Sequence, residues 1–490
     1  MLRTADSALV VGGASVATRK AHALLSAGFA VRVVAPRILP ELRALATDAA
    51  VTLCERAYER GDLGGVAVAV AATGDADVDA AVVADARERG VLVCDATQPL
   101  RGTFTMMATS RIGDVTIAVD SGASSPSFSR RTLDEIEVHL GARYGDAAKT
   151  LARIREELRT TMGRGDRIAL LRKLSSLPID ELASAAAPRR VTCATRSSAL
   201  ATAQTKAVAA LVATRGIATE MLAVQTAGDR DRNRPLHDLG EQNVFVKELE
   251  KALADRRADY AVHSAKDLPS ELAAGFAIAA FCDREDPRDA FCSERYERFE
   301  DLPAGARVGT SSLRRRFQLQ ALRPDLVYVD VRGNVDTRLR KLREGTYDAI
   351  VLAMAGMRRL RVAATHTVPW PANAIVPAAG QGALALEVRD DDVLLAYDLR
   401  AAANDEEVEL CVLCERAALR TLHAGCSAPI GVHARREGET MNAEIAYATP
   451  ETIIRERADA AVRDRAQAQR LGERLGQAIA LRVRPAESNA

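Results

Sequence analysis

Residues 423 to 431 read HAGCSAPIG, which places Cys426 in a turn between glycine and serine. A turn offers a thiol little to pack against, and a thiolate is a strong nucleophile near neutral pH. Cys426 thus has little chance of being a core residue or half of a disulfide, and these residues alone leave its purpose open. The second stretch with chemical potential is VHSAKDLP. Tyr260 to His263 read as a buried strand, so Ser264 to Leu268 emerge at its carboxyl end, where open α/β sheets keep their chemistry. Lys266 and Asp267 set a cation beside a carboxylate, and a carboxylate pulled one way by cations and the other by desolvation is a group tuned for proton transfer. The same Lys-Asp-Leu-Pro run also reads as a surface turn.

What surrounds these groups follows from an arrangement that occurs three times. VTCATRSSALATAQ, ARVGTSSLRRRFQLQ and YVDVRGNVDTRLRKL each run from a β-type stretch, through a loop of small or hydroxyl residues carrying arginine, into a helix. Amides, hydroxyls and guanidinium groups then meet at a helix N-terminus, which makes an anion site. One such segment alone is a capped helix with a basic face; three imply a polyanionic ligand. DNA is a poor candidate, since Lys+Arg total 67 against 66 for Asp+Glu, aromatic residues are 4%, and no reading module is recognisable. The near-neutral balance also argues against an anionic membrane, and no segment approaches the roughly 18 apolar residues of a spanning helix. A cytoplasmic location is expected, with the eight cysteines as thiols. Cys411 and Cys414 form a C-x-x-C in helical periodicity with no second pair, so no metal site is expected.

The 490 residues suit roughly three or four domains. ALVVGGASVATRKAHALLSAGFAVRVVAP reads as strand, glycine turn, helix and strand, the opening of a dinucleotide-binding unit in which backbone approaches a pyrophosphate at a helix N-terminus. Gly12, Gly13, Ala14, Ser15 and Val16 are the candidate NAD-binding residues. The third position of the glycine pattern is Ala14, the last is Ala17, and no acid closes the second strand. A βαβ unit without nucleotide is the alternative. Strands are expected at VAVAVAAT, VLVCDAT and GDVTIAVD, then charged helical sequence to about Leu182. SAAAPRR, Ser184 to Arg190, has the composition of a linker.

From about Arg190 onward the sequence resembles hydroxymethylbilane synthase, also called porphobilinogen deaminase. The likeness rests on ATRSSAL, VFVKELE, VHSAKDLP, REDPRDAF, VGTSSLRR, VRGNVDTRL, PAAGQGAL and GCSAPIG, in the family's order. It implies a dipyrromethane cofactor joined by a thioether to Cys426, on which four porphobilinogen units are assembled with loss of ammonia before hydrolysis releases hydroxymethylbilane. It implies that Asp267 faces the pyrrole nitrogens, stabilises the azafulvene cation and manages protons. It implies further that Lys266, Arg196, Ser198, Ser311, Arg314, Arg315, Arg332 and Arg338 hold the acetate and propionate groups. Thr310, Gly333 and Asn334 complete the binding set, and Phe245 lies against a ring. Two cationic contacts usual in the family before Phe245 are replaced here, by Thr226-Ala227-Gly228-Asp229 and by Gln242-Asn243-Val244; Arg230, Arg232 and Arg234 lie close enough in sequence to compensate.

Residues 5 to 180 resemble the precorrin-2 dehydrogenase and sirohydrochlorin ferrochelatase domain of siroheme synthases, through LVVGGASVATRKAHALLSAG, VAAT, GTFTMMA and SGASSPSFSRRTLDEIE. Where that family has Asn-Val-x-Asp this chain has Cys94-Asp95-Ala96-Thr97, so Asp95 and Thr97 are the candidate positions for the base and NAD is the second cofactor. The expected architecture is α/β multidomain. It comprises a Rossmann-like NAD-binding domain (1–112), a dimerisation and helical extension (113–183), a linker (184–190), two periplasmic-binding-protein-like α/β domains (191–282 plus 384–402, and 283–383) and a small α+β domain (403–490) bearing Cys426. Porphobilinogen and tetrapyrrole intermediates are the expected partners, and the first block is where a homodimer would form. Two alternatives stay open: a deaminase whose first block only dimerises or binds a tetrapyrrole, and a non-enzymatic anion-binding protein, which has no need of Cys426 or Asp267.

Overall fold

A computed structural model describes residues 7–47, 49–122, 125–185, 189–225, 246–424 and 428–483. They fall into two compact units, one within Met1–Arg167 and Leu177–Ala186, the other within Ile168–Ser176 and Ala187–Ala490. Among the described residues no helix is long and apolar enough to cross a membrane.

In the first unit, the strand Ser7–Val11 sends Ala8 and Val10 into one core layer and Leu9 and Val11 into another. Burial on both faces is why such strands read as continuous apolar runs instead of alternating ones. Ala30–Val34 and Val66–Ala71 flank it, with Val51–Cys54 and Leu92–Asp95 outermost, all parallel in the order 3-2-1-4-5 counted along the chain. Helices Ser15–Ser26 and Ala76–Glu88 are crossovers between neighbouring strands. Gly12 has φ +133, and a Cβ there would lie 2.2 Å from the Ala72 carbonyl oxygen. Glycine is thus demanded by the packing of two strand-end loops. A hairpin, Ala108–Ile112 with Val115–Val119, precedes helices Pro126–Leu140 and Arg143–Thr161.

The second unit holds two mixed five-stranded sheets and a three-stranded antiparallel one. In space the first runs Phe276–Cys282, Leu384–Arg389, Tyr260–Ser264, Arg189–Arg196, Ile217–Val224, with Leu384–Arg389 antiparallel to both neighbours. The chain leaves this sheet after Cys282 and builds the second from Val327–Val329, Arg307–Gly309, Ala349–Ala353, Asp289–Ser293 and His366–Pro369. It then returns to the first at Leu384. Helices Ala199–Ala213 and Val393–Ala403 bury Val208, Val212, Leu395 and Leu399 against the first sheet's Val191, Tyr260 and Leu386. The antiparallel sheet, Ile430–Glu437, Thr440–Ala448 and Ile453–Ala461, packs with helices Glu406–Thr421 and Arg465–Val483. A Cβ at Gly472 would fall 2.0 Å from the Cys414 carbonyl oxygen, so the two helices meet backbone to backbone there. Cys411 and Cys414 are buried in this core, and burial pushes the Cys411 thiol up to about 12.

Candidate active site

The strand Tyr260–Ser264 ends in one tight turn, Ala265–Asp267. The Ala265 amide donates to the Ala383 carbonyl at 2.9 Å, which seats the turn on the segment before Leu384. Lys266 Nζ donates to Gln381 Oε1 at 3.3 Å. Burial and the nearby Arg315 push the Lys266 ammonium down to about 8, against the pull of Asp267 and Asp289. Asp267 lines a cavity with Arg196, Ser198, His263 and Ser264. A neighbouring cavity, sharing Leu200, Gln204 and Ser264 with the first, is walled by Lys266, Arg315, Arg338, Arg359 and Gln381. The turn therefore has a carboxylate on one side and a wall of cations on the other.

All three loop-to-helix segments form helices with side-chain caps. Ser198, Ser312 and Asn334 accept from the amides of Ala201 (3.3 Å), Arg315 (3.4 Å) and Thr337 (2.9 Å). One amide in each first turn is therefore satisfied from within the chain. Thr310 is buried, and its hydroxyl accepts from the Ser312 amide at 3.3 Å. Ser311 Oγ donates to the Val331 carbonyl (2.9 Å) and accepts from the Val331 amide (3.0 Å), tying two loops together. Gly333 has φ +107, and a Cβ there would meet Thr337 Cγ2 at 2.5 Å. Arg338 Nε donates to the Gly333 carbonyl at 2.8 Å, and the group makes no ion pair among the described residues. Burial, with Arg315 and Arg332 nearby, pushes Arg338 down to about 10. A cation disfavoured by its surroundings gains most from an incoming anion.

Arg314 and Arg315 are engaged differently. Asp289, fully buried, accepts from Arg315 Nη2 and Nε at 2.6 and 3.1 Å, while Arg315 Nη1 reaches the Val351 carbonyl at 3.1 Å. Arg314 Nη1 donates to the Val376 carbonyl at 2.6 Å and lies 2.7 Å from Asp289 Oδ2 as an ion pair off the hydrogen-bond direction. Burial alone would raise Asp289, but the two guanidinium groups overcome it and hold the carboxyl well below the usual range. Of the two arginines, Arg315 reaches the cavity wall, and Arg314 is held behind it by Asp289 and Val376.

Several residues of this site were not singled out in the sequence. Gln381 accepts from Lys266 and donates to Asp289 Oδ1 (2.9 Å) and the Pro287 carbonyl (2.7 Å). Gln204 Nε2 donates to Ser264 Oγ at 2.9 Å. His263 Nε2 and Glu387 Oε2 are 2.9 Å apart in the core, beside Glu250, whose carboxyl is raised by burial and by Glu387. The motifs REDPRDAF and PAAGQGAL were the available signal for Asp289 and Gln381. Cys426 and Phe245 lie outside the described residues, as do residues 226–244 with their altered contacts.

In the parallel-sheet unit, Gly12 and Gly13 form the turn after the first strand, and Ala14, Ser15 and Val16 start the helix Ser15–Ser26, whose N-cap Ala14 has no side-chain cap. Its first amides therefore remain open to a pyrophosphate, so the residues present fit a dinucleotide. The candidate bases are both engaged. Asp95 is buried; its Oδ1 accepts from the Thr97 and Gln98 amides (2.9 and 2.7 Å) and its Oδ2 from Arg101 Nε at 2.9 Å. The Thr97 hydroxyl donates to Asp79 Oδ2 at 2.9 Å. In this arrangement the Asp95 oxygens hold the 95–101 loop.

Residues 191–396 match the family model for porphobilinogen deaminase, dipyromethane cofactor binding domain, and residues 409–480 that for the porphobilinogen deaminase C-terminal domain. Residues 3–108 match the family model described as "Putative NAD(P)-binding". A porphobilinogen deaminase of Sorangium cellulosum is 44% identical over 296 residues, which is 59% of this chain and 98% of the relative. One from Albidiferax ferrireducens is 46% identical over 290 residues, 58% of this chain and 91% of that protein. Among solved structures, the precorrin-2 dehydrogenase SirC aligns over 36% of this chain and 87% of its own at 24% identity, with a TM-score of 0.32. The periplasmic VFT2 domain of Bordetella pertussis BvgS aligns over 45% and 88% at 16% identity and a TM-score of 0.28. Neither structural likeness is close.

Proposed function

Because the chain belongs to the porphobilinogen deaminase family, we propose that residues 189–483 assemble hydroxymethylbilane from four porphobilinogen molecules at the Ala265–Asp267 turn. The dipyrromethane held at Cys426 supplies the chain end to which each unit is added. Asp267 stabilises the cation left when porphobilinogen loses ammonia, and accepts and returns the proton that moves with each coupling. Lys266, Arg196, Arg315, Arg332 and Arg338 take the acetate and propionate groups. Arg314 acts through Asp289 and is a positioning residue, as are Thr310, Ser311, Ser198, Gly333 and Asn334, which hold the loops.

The observation that carries this reading is the Asp267 carboxylate across one turn from an Arg338 guanidinium that lacks a carboxylate partner among the described residues. The test is Asp267→Asn, which keeps shape and removes charge. Turnover should fall about 100-fold or more, the scale of one electrostatic catalytic group, while binding of the first porphobilinogen changes less. Near-normal turnover would sink the role.

The three sheets support a division at 191–282 plus 384–402, 283–383 and 403–490. The parallel-sheet unit is read as Rossmann-like and dinucleotide-binding. With Asp95 and Thr97 both engaged, it oxidises precorrin-2 slowly at most. A second reading, that this block serves association, is favoured by Phe128 and Val138, exposed at 61% and 85% on the helix Pro126–Leu140. A concentration-dependent sedimentation coefficient tests it. The free thiols among the described cysteines fit a cytoplasmic location.

A further inference from the structure

We propose that His263 and Glu387 are positioning residues of the deaminase reaction: their hydrogen bond is a brace that fixes the direction in which the Ala265–Asp267 turn leaves the sheet. The proposal deepens the reading of the Asp267 cavity as the reaction site and rests on it. The strand Tyr260–Ser264 has two neighbours, and they hold it unequally. Against Leu384–Arg389 it pairs along its whole length, from Tyr260 opposite Val388 to Ser264 opposite Leu384. Against Arg189–Arg196 it pairs, among the described residues, at Tyr260 and Ala261, opposite Cys193 and Ala194. Its last three residues, Val262 to Ser264, instead run along the cavity that Arg196, Ser198 and Asp267 also line. One ladder sets the register of such a strand end, and its tilt is left to side chains.

Successive side chains of a strand point to opposite faces, and here both faces are tied. Tyr260 and Val262 pack with Val208 and Val212 of the helix Ala199–Ala213, and on that face Ser264 Oγ accepts from Gln204 Nε2 at 2.9 Å. Ala261 packs with Leu249 and Leu253 of the helix Lys247–Ala254; on that face His263 Nε2 meets Glu387 Oε2 at 2.9 Å. Glu387 is wholly buried, and its Oε1 has no hydrogen-bond partner among the described residues. A buried carboxyl with one oxygen idle costs free energy that a leucine at the same place would not. Stability therefore explains the pair poorly. Position explains it better, because Asp267 stands four residues beyond His263, and a displacement of about 1 Å at a reacting group can cost about 100-fold in rate.

The experiment measures porphobilinogen turnover and thermal unfolding of the full-length protein in wild type, Glu387→Leu, Glu387→Gln and the double variant His263→Leu with Glu387→Leu. Glutamine keeps an acceptor for Nε2, and leucine removes the brace. The double variant replaces both partners by apolar groups, which leaves neither one unpaired and restores stability. In Glu387→Leu kcat should fall at least about tenfold, and it should stay low in the double variant even though that protein unfolds near the wild-type temperature. Glu387→Gln should keep kcat within about threefold, and KM should move less than about threefold throughout, because the arginines that take the carboxylates are untouched. Near-normal kcat in Glu387→Leu, a kcat that recovers with stability in the double variant, or equal losses with glutamine and leucine overturn the proposal. Failure of all three variants to fold assigns the pair to the core alone and overturns it too. Asp267→Asn is run beside them. Normal turnover there sinks the reading of the cavity and the proposal together, whereas a crippled Asp267→Asn next to an active Glu387→Leu overturns the proposal and leaves the reading standing.

Discussion

Lys266 makes the deaminase site sensitive to alkali at lower pH than Arg338, whose guanidinium is pushed down only to about 10. Its ammonium is pushed from 10.5 to about 8 by burial first and by Arg315 second. A group with that pKa is about nine-tenths protonated at pH 7 and about one-tenth protonated at pH 9. If the ammonium form alone binds a porphobilinogen carboxylate there, kcat/KM, which reports the free enzyme, should fall by about an order of magnitude across that interval. The bound carboxylate favours the proton, so kcat at saturation should hold to higher pH. The stability contribution has the opposite sign. Between pH 8 and pH 10.5 the unfolded chain binds more protons at this lysine than the folded one, so stability from this group rises with pH there. A decline in kcat/KM is then not unfolding caused by Lys266. The assay is initial porphobilinogen consumption over the range from about pH 6.5 to 9.5, in wild type and Lys266→Arg, with an arginine that stays charged throughout. A flat wild-type kcat/KM, or an alkaline limb near pH 8 that persists in Lys266→Arg, refutes the reasoning.

Asp289→Asn removes the carboxylate shared by Arg314 and Arg315. Two buried cations then lack a counter-charge, and chemical denaturation should show a loss of about 3–5 kcal/mol; a change below about 1 kcal/mol would mean that solvent reaches the pair. Cys426→Ser should yield a protein whose intact mass lacks the covalent dipyrromethane and which makes no bilane, since a hydroxyl is far less nucleophilic than a thiolate. Detection of thioether-bound cofactor elsewhere would move the anchor. Thr97→Asp sets a second carboxylate beside Asp79, whose Oδ2 is 2.9 Å from the present hydroxyl. One of the two acids should titrate high, and reduced dinucleotide should form from precorrin-2 faster than with wild type. No acceleration would show that a base at this position is not what the unit lacks.

The sequence exposes residues whose chemistry restricts their type, and hides those whose role depends on where the chain returns. The run VAVAVA shows a strand because both its faces are buried, and Ser198, Ser312 and Asn334 mark helix starts because a short polar side chain can reach an amide three residues on. Asp289, Glu387 and Glu415 show nothing comparable. Their partners Arg315, His263 and Arg284 lie 26, 124 and 131 residues away, and the His263–Glu387 pairing exists only because the chain leaves the first sheet after Cys282 and comes back at Leu384. Arg314 and Arg315 look equivalent in LRRRF, yet a step of one residue at a helix start turns one side chain toward Val376 and the other toward Val351.

The same logic explains why PAAGQGAL, which has no reactive side chain, belongs with the site. Arg314 and Gln318 both donate to the Val376 carbonyl, and the Gln318 carboxamide accepts from the Val376 amide. Glu415 takes the Gly380 amide at 2.6 Å and, through its other oxygen, Arg284 and the Ala434 amide. Gln381 spans Lys266 and Asp289. Gly380 and Gly382 have φ +70 and +92, and Cβ atoms there would come within 3.0 Å of Ala265 and 2.1 Å of the Glu285 carbonyl oxygen. Residues 376–382 thus touch the second sheet's arginine helix, the Ala265–Asp267 turn and the antiparallel sheet through buried groups. A buried polar network of this kind is satisfied only in one arrangement, so it fixes the distance between the Asp267 turn and the cationic wall. Catalysis by electrostatic stabilisation requires that fixed distance, because donors and charges that must reorganise during the reaction lose most of their effect.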